Sequence, residues 1–348
     1  MKKDERSIVV ILGAGASKIL GFPLQSEIWN FLNDGCDDFD ICLINRLRLR
    51  LGDNIEQIFT YLEAGIRNKD INVVYEDIPS ANLENLQNLI LDQFSRVKLK
   101  ESGVRTYTLL INKLLCFKQV TFINLNWDVG LENIIRNLKV GVNYGILFDY
   151  DHDAKDYDYK DTIFLNEPIK TFSVLKPHGS LNWSFCPACK RLYCHRYYYY
   201  PNHVMFASGK LEKEMVKIID CQNCSSYHVL PSNLRRIFIA PSIYKKAYLN
   251  YFDSIGRRTH QAISEANIII FIGYSFRETD WDVKYILYSA LNGLGESKLE
   301  NIFILDNQVT TKRIEDFFEM EKDSGVKIKK IGYLNKNNLY KLFKFLNI

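Results

Sequence analysis

Five short apolar runs punctuate this 348-residue chain, and each stops at a small or polar residue. Ser7–Leu12 meets Gly13, Val120–Leu125 meets Asn126, Phe172–Leu175 meets Lys176-Pro-His178, Ile268–Ile272 meets Gly273, and Ile302–Leu305 meets Asp306. Runs this short, rich in Val, Ile and Phe, read as buried strands entering tight turns. Between them apolar residues recur at helical spacing, as in Leu24, Ile28, Phe31 and Leu32, then Ile55, Ile58, Phe59 and Leu62. Leu83, Leu86, Ile90 and Phe94 form a further stripe, as do Leu110, Ile111, Leu114 and Leu115, and Leu131, Ile134, Ile135 and Leu138. Asp53 with Glu56 three residues on reads as a capping box for the Ile55 helix. Strands at 237–240 and 326–331, and helices at about 244–266, near Trp281–Leu291, after Thr311 and at the end, complete the pattern. Strands alternating with helices imply an α/β fold, a Rossmann-like doubly wound parallel sheet.

The pattern divides the chain. Residues 1–35, 118–183 and 233–348 carry the strand–helix alternation; 36–117 read as a helical insertion; 184–232 read as a small separate lobe. Residues 150–170, dense in Asp, Lys and Tyr, read as an exposed loop. A net charge of only +4 does not argue for nucleic acid, where a concentrated basic face is needed, so no nucleic-acid partner is expected. The apolar run after the charged start is too short for a signal-peptide core, and no later run reaches membrane-span length. A cytoplasmic protein follows as the expectation.

Four of the eight cysteines form two tight pairs, Cys186-x-x-Cys189 and Cys221-x-x-Cys224. Four thiolates so spaced suit tetrahedral Zn²⁺, although the segment between the pairs is longer than is usual. Cys194 and His195 are nearby spare ligands, and Tyr197–Tyr200 reads as packing for the lobe.

Other candidates sit at strand ends. Gly13-Ala14-Gly15-Ala16-Ser17 leaves room for a pyrophosphate to approach the backbone, with amides at a helix start favouring anionic oxygen. Two glycines there serve a purely structural turn about as often. Asn126 and Asp128 offer a carboxamide and a carboxylate to a ribose or an amide; the plainer role for Asn126 is to cap the next helix. His178 has a side chain able to take a proton near neutral pH, or to pack as an ordinary buried histidine. Gly273, Ser275 and Asp306 leave space for a nucleotide, or make ordinary turns.

Taken in order, these segments resemble the sirtuin family. Gly13-Ala-Gly-Ala-Ser17 with Gly21-Phe-Pro23, Leu125-Asn126-Trp-Asp128, Lys176-Pro-His178-Gly-Ser180, the two cysteine pairs, Gly273-Tyr-Ser275 and Leu305-Asp306 follow the family's order. The likeness covers residues 7–35 and about 118–307. It implies that Gly13, Ala14, Gly15 and Ser17 meet the phosphates of NAD⁺, that Asn126 and Asp128 hold the nicotinamide and its ribose, that His178 is the general base, and that Gly273, Ser275 and Asp306 lie near the adenosine half. It implies structural Zn²⁺ on Cys186, Cys189, Cys221 and Cys224.

Two departures bear on activity. Deacylating sirtuins carry Asp-Phe-Arg after Gly-x-Pro, where this chain has Leu24-Gln-Ser26, and Phe-Gly-Glu after the zinc module, where it has Phe238-Ile-Ala-Pro241-Ser. Asn54-Ile-Glu-Gln-Ile-Phe-Thr-Tyr61 and Pro241–Lys245 look like the divergent bacterial sirtuin-like branch. That likeness implies an NAD⁺ hydrolase releasing nicotinamide and ADP-ribose, an effector of antiphage defence. It further implies gating by homo-oligomerisation or by a sensor or ATPase partner. An NAD-dependent protein deacylase and a non-catalytic NAD or ADP-ribose sensor are the alternatives.

Overall fold

The computed structural model describes residues 4–33, 38–68, 79–146, 148, 170–186, 188–194, 224, 235–238, 250–277, 280–292, 298–319 and 326–348. The 150–169 loop, His195, Tyr197–Tyr200, Cys221, Pro241–Lys245 and the start of the helix expected from 244 lie outside the described residues.

In chain order the strands are β1 (Asp4–Leu12), β2 (Phe117–Asn124), β3 (Gly141–Asn143), β4 (Thr171–Leu175), β5 (Gly179–Phe185), β6 (Leu192–Cys194), β7 (Arg235–Phe238), β8 (Ile268–Ile272), β9 (Asn301–Leu305) and β10 (Lys327–Lys330). Seven form one sheet in the order β10-β9-β8-β1-β2-β4-β3, with every pairing parallel. The central strands are mostly apolar over the stretches where both faces are covered, Ile8–Leu12 of β1, 120–124 of β2 and the whole of β8. All five residues of β8 and Ile8–Leu12 of β1 are buried. Each side chain so buried contributes about 1.5–3 kcal/mol of transfer free energy. This is the Rossmann-like α/β fold with flanking helices that the strand–helix alternation predicts.

Register decides what the sheet presents. Leu12 pairs with Asn124 on one side and Ile272 on the other, Ile272 pairs with Leu305, and Ile123 pairs with Leu175. The residues following all five strands therefore emerge along one edge. The chain leaves β1 for β2 on one side and later returns to β8 on the other, so the order reverses at β1. Open α/β sheets bind ligands in the crevice at such a point.

Two short helices follow β1, α1 (Ala14–Lys18) and α2 (Ile28–Asn33). The insertion then supplies α3 (Asp38–Leu51), α4 (Ile55–Asn68), α5 (Pro79–Ser95) and α6 (Glu101–Leu114). Ile55, Ile58, Phe59 and Leu62 of α4 and Leu83, Leu86, Ile90 and Phe94 of α5 are all buried, as their spacing predicts. The cap of α4 differs from expectation. Asn54, not Asp53, accepts the Glu56 amide at 2.9 Å, while the Asp53 carboxylate pairs with Arg48. Helix α6 is tied to the loop after β1: Tyr107 Oη donates to the Ala16 carbonyl at 3.0 Å, and the Lys100 amide to that of Leu20 at 3.0 Å.

Beyond β2 come α7 (Gly130–Asn137), α8 (Asn250–Ser264), α9 (Trp281–Leu291), α10 (Gln308–Glu319) and α11 (Lys336–Leu346). β7 joins β5 and β6 in a separate antiparallel sheet of order β6-β5-β7. No apolar run marks β5, because its buried positions include Ser180, Asn182 and Ser184. These are satisfied locally, Ser180 Oγ donating to Asn182 Oδ1 at 2.7 Å. Among the described residues no helix is long and apolar enough to cross a membrane.

Candidate functional site

A cavity of about 430 Å³ opens at the carboxyl edge of the sheet. That volume lies in the range of small-molecule and cofactor sites. Gly13, Ala14, Gly15, Ser17, Asn126, Asp128, His178, Gly273, Ser275 and Asp306 all line it. Five strand ends, separated by up to 293 positions in sequence, converge because the register aligns them.

Hydrogen bonds knit the convergence. Asn126 Nδ2 donates to the Gly13 carbonyl at 2.8 Å, joining the ends of β2 and β1. His178 Nδ1 lies 3.2 Å from the Leu125 carbonyl, joining β4 to the residue before Asn126. The other ring nitrogen, Nε2, lies 3.2 Å from Asp282 Oδ2, in the first turn of α9. The imidazole is thus fixed beside the peptide unit that carries the Asn126 carboxamide. Asn126 caps no helix; α7 starts at Gly130, whose amide donates to Asp128 Oδ1 at 2.9 Å.

Asp128 serves the scaffold. Its Oδ2 accepts from Ser17 Oγ at 2.6 Å, and the side chain is buried. Burial pushes its carboxyl above the usual range, against the opposing pull of Lys176 and the Ser17 hydroxyl. Beneath this loop Lys176 is fully buried. Its Nζ donates to the Asp128 carbonyl at 2.5 Å and to Glu132 Oε1 at 2.9 Å. A buried cation bonded to a backbone carbonyl fixes that loop, and with it the approach of Asn126.

The glycines that line the cavity also carry a packing role. A Cβ on Gly13 would stand 2.5 Å from Tyr274 Cα, and one on Gly15 2.8 Å from Gly273 Cα. The Gly15 amide donates to the Gly273 carbonyl at 2.8 Å, the Gly13 amide to Ile272, and the Ala16 amide to Gly13. The bare α-carbons let the turns after β1 and β8 interlock, which is the structural role of such a pair.

Arg277, Glu56, Lys18 and Phe94 also line the cavity, and sequence reasoning missed them along with Asp282. Glu56 and Phe94 come from α4 and α5, so the insertion forms part of the wall. Asp306 accepts the Asn307 amide at 2.6 Å, and burial raises its carboxyl above the usual range.

Just past the end of β5, the Sγ atoms of Cys186, Cys189 and Cys224 lie within 4.8 Å of one another. Cys186 and Cys224 are buried, and three soft sulfur donors on one point are the donor set Zn²⁺ selects. Cys194 is outside this group. It lies on β6 with its sulfur 3.5 Å from Asn182 Nδ2, and burial pushes its thiol up to about 12.

A parallel seven-stranded sheet with a cavity at its reversal point defines a Rossmann-like α/β protein. Within that class the SIR2-like domain family matches residues 120–328, more than half of the chain, and the chain belongs to it. No curated protein matches. Solved structures that align along nearly the whole chain include a Sir2 homologue–NAD complex, at 12% identity, 98% of this chain, 90% of that one and a TM-score of 0.48. A mutant Sir2 homologue with ADP-ribose aligns at 14% identity over 93% of this chain and 95% of that one, with a TM-score of 0.42. Sir2Tm bound to a propionylated peptide aligns at 13% identity over 99% and 94%, with a TM-score of 0.39.

Proposed function

We propose that the cavity binds NAD⁺ and that the chain hydrolyses its nicotinamide–ribose bond. The observation that carries this reading is the meeting of His178 and Asn126 in one cavity at the sheet's reversal point, in a SIR2-like chain. Nicotinamide leaves with the electron pair of its bond to the ribose carbon, which neutralises its ring and leaves an oxocarbenium-like centre. Water attacks that carbon, and its proton passes to His178. Asn126, with Nδ2 on Gly13, holds its carboxamide toward the sugar. The products are nicotinamide, ADP-ribose and a proton.

Zn²⁺ on Cys186, Cys189 and Cys224, with Cys221 as the fourth thiolate, would brace the small lobe. Unrestrained NAD⁺ cleavage is toxic, so the activity needs gating by self-association or a partner. This fits the antiphage effector role that the divergent branch implies.

The test is chromatography of NAD⁺ incubated with the protein, alone and with the products of neighbouring genes. Wild type releases nicotinamide and ADP-ribose, and His178→Ala and Asn126→Ala do not. NAD⁺ that stays intact throughout, or variants that match wild type, would overturn the reading. Release of O-acyl-ADP-ribose from an acyl-lysine peptide would assign deacylation instead.

A further inference from the structure

A dinucleotide brings two negative phosphates into a cavity that is itself rich in acids: Glu56, Asp128, Asp280 and Asp306. In the turn after β1 the amides of Gly13, Gly15 and Ala16 are already bonded inside the protein, which leaves few there for two phosphates. Side chains must meet the rest of the charge. Besides His178, the basic groups lining the cavity are Lys18 and Arg277. Lys18 Nζ already contacts both carboxylate oxygens of Glu27. Arg277 is placed otherwise. Its Nη1 donates to Gln25 Oε1 and, at 3.2 Å, to Glu56 Oε1, while Nε and Nη2 make no bond among the described residues. A guanidinium keeps its planar fork and can grip a phosphate with two parallel N–H donors.

The chain is bent to present it. Phe276, immediately before, has a φ of 48°, a left-handed conformation that a bulky side chain rarely adopts. Its buried ring is held at centroid distances of 5.0 Å from Phe317 and 5.6 Å from Tyr274. Strain maintained by packing beside a ligand cavity is a mark of pre-organisation. The turn that results carries Arg277, four residues beyond the Gly273 that touches Gly15, back over the cavity.

We propose that Arg277 is the phosphate-recognition residue of this site, held in position by Gln25 and by Glu56 of the inserted helix, and that it selects dinucleotide over unphosphorylated nucleoside. This rests on the NAD⁺ reading above. Glu56 orients the guanidinium and competes with the phosphate for it, so the insertion tunes affinity from the facing wall.

The experiment separates the two claims by using probes with and without phosphate. Calorimetry measures ADP-ribose binding to wild type, Arg277→Ala, Arg277→Lys and Glu56→Gln; a parallel assay compares cleavage of NAD⁺ and of nicotinamide riboside. Loss of a charge-assisted pair predicts that Arg277→Ala weakens ADP-ribose binding and raises KM for NAD⁺ by about 10- to 100-fold. Arg277→Lys falls between. Glu56→Gln, which keeps an acceptor and removes the competing charge, tightens binding by about two- to five-fold. Cleavage of nicotinamide riboside by Arg277→Ala stays within about two-fold of wild type, since no phosphate contact is lost. Equal ADP-ribose affinity in wild type and Arg277→Ala overturns the proposal and leaves the NAD⁺ reading intact. An equal loss with nicotinamide riboside also overturns it, by showing a general structural role. A wild type that binds no ADP-ribose overturns the NAD⁺ reading and this proposal with it.

Discussion

His178 Nε2 lies 3.2 Å from Asp282 Oδ2, so the ring nitrogen remote from Leu125 is held by a carboxylate on the neighbouring helix α9. A sugar hydroxyl or water reaching Nε2 takes the place of Asp282. Two consequences oppose each other when Asp282 becomes Ala: the ring loses an orienting contact, and the incoming group loses a competitor. The Asp282 side chain is 37% exposed, and a pair of that kind is worth about 0–1 kcal/mol. The ring keeps its Leu125 contact and its burial. Asp282→Ala therefore changes kcat/KM for NAD⁺ cleavage by less than about five-fold. His178→Ala, which removes the proton acceptor proposed above, is expected to lower it by about 10²- to 10⁴-fold. Steady-state kinetics of the two variants side by side decide the matter. Comparable losses would make Asp282 part of the chemistry.

The Lys176–Glu132 pair is fully buried, and Glu132 Oε2 has no hydrogen-bond partner among the described residues. Removing one partner leaves the other charged in a dry interior. Lys176→Met is expected to cost about 3–5 kcal/mol, whereas Lys176→Met with Glu132→Leu costs markedly less. Urea unfolding of the single and double variants measures both. Because Lys176 also donates to the Asp128 carbonyl, the double variant should regain stability without regaining tight ADP-ribose binding.

What could be read from the sequence followed from hydrophobic continuity. β8 is a pure apolar run and its bounds, Ile268–Ile272, agree with the predicted ones, because a strand buried on both faces leaves no ambiguity of period. β5 was missed for the opposite reason, since its buried serines and asparagine bond to each other and to the chain around them. The ten cavity residues could be picked out because each stands next to a strand end. Asp282, Arg277 and Glu56 could not. Arg277 and Glu56 reach the cavity from a strained turn and the insertion, Asp282 touches the His178 ring from a helix, and nothing local in sequence reports that packing. Gly13 and Gly15 lie against the backbone of Gly273–Tyr274, a contact between segments about 260 residues apart that no local pattern reports.

That contact gives a prediction independent of any ligand. The Cβ of Gly13→Ala would lie 2.5 Å from Tyr274 Cα and 2.6 Å from the Gly273 carbonyl oxygen. Both obstacles are backbone and cannot swing aside. Overpacking of this kind costs about 1–3 kcal/mol, and more where the sheet resists the shift. Gly52→Ala is the contrast for space: nothing lies within 4 Å of its Cβ, although its φ of 79° is itself unfavourable to alanine. Differential scanning calorimetry should find Gly13→Ala the less stable of the two. A smaller effect at Gly13 than at Gly52 would contradict the interlocked turns.

The cysteine group makes a sharp distinction among neighbours. Cys186, Cys189 and Cys224 converge, and Cys194, a few residues along, does not. With its thiol pushed to about 12 by burial, Cys194 stays protonated and is a poor metal ligand. Protein purified with zinc should carry about one ion per chain; Cys186→Ser should lose it, and Cys194→Ser should keep it. Elemental analysis with a thiol-reactive dye gives the count. Loss of metal from Cys194→Ser would mean that the ligand set differs from the one the geometry suggests.

Asp306 links acidity to the ligand. Burial raises its carboxyl above the ordinary range, and the Asn307 amide is the lesser, opposing influence. A raised value means that the folded state holds the proton more tightly than the unfolded chain does. The stability Asp306 contributes is therefore complete below the unfolded value near 4 and is lost as pH rises through the folded one. Asp306→Asn keeps an oxygen for the Asn307 amide and carries no charge. The variant should match wild type in urea at the acid end and become the more stable protein as pH climbs toward neutrality. A stability difference that does not change with pH would refute this. A carboxylate retained in a cavity at such a cost is one that a ligand can repay with a hydroxyl donor. ADP-ribose should accordingly raise the melting temperature of wild type more than that of Asp306→Asn at neutral pH, and equally at the acid end.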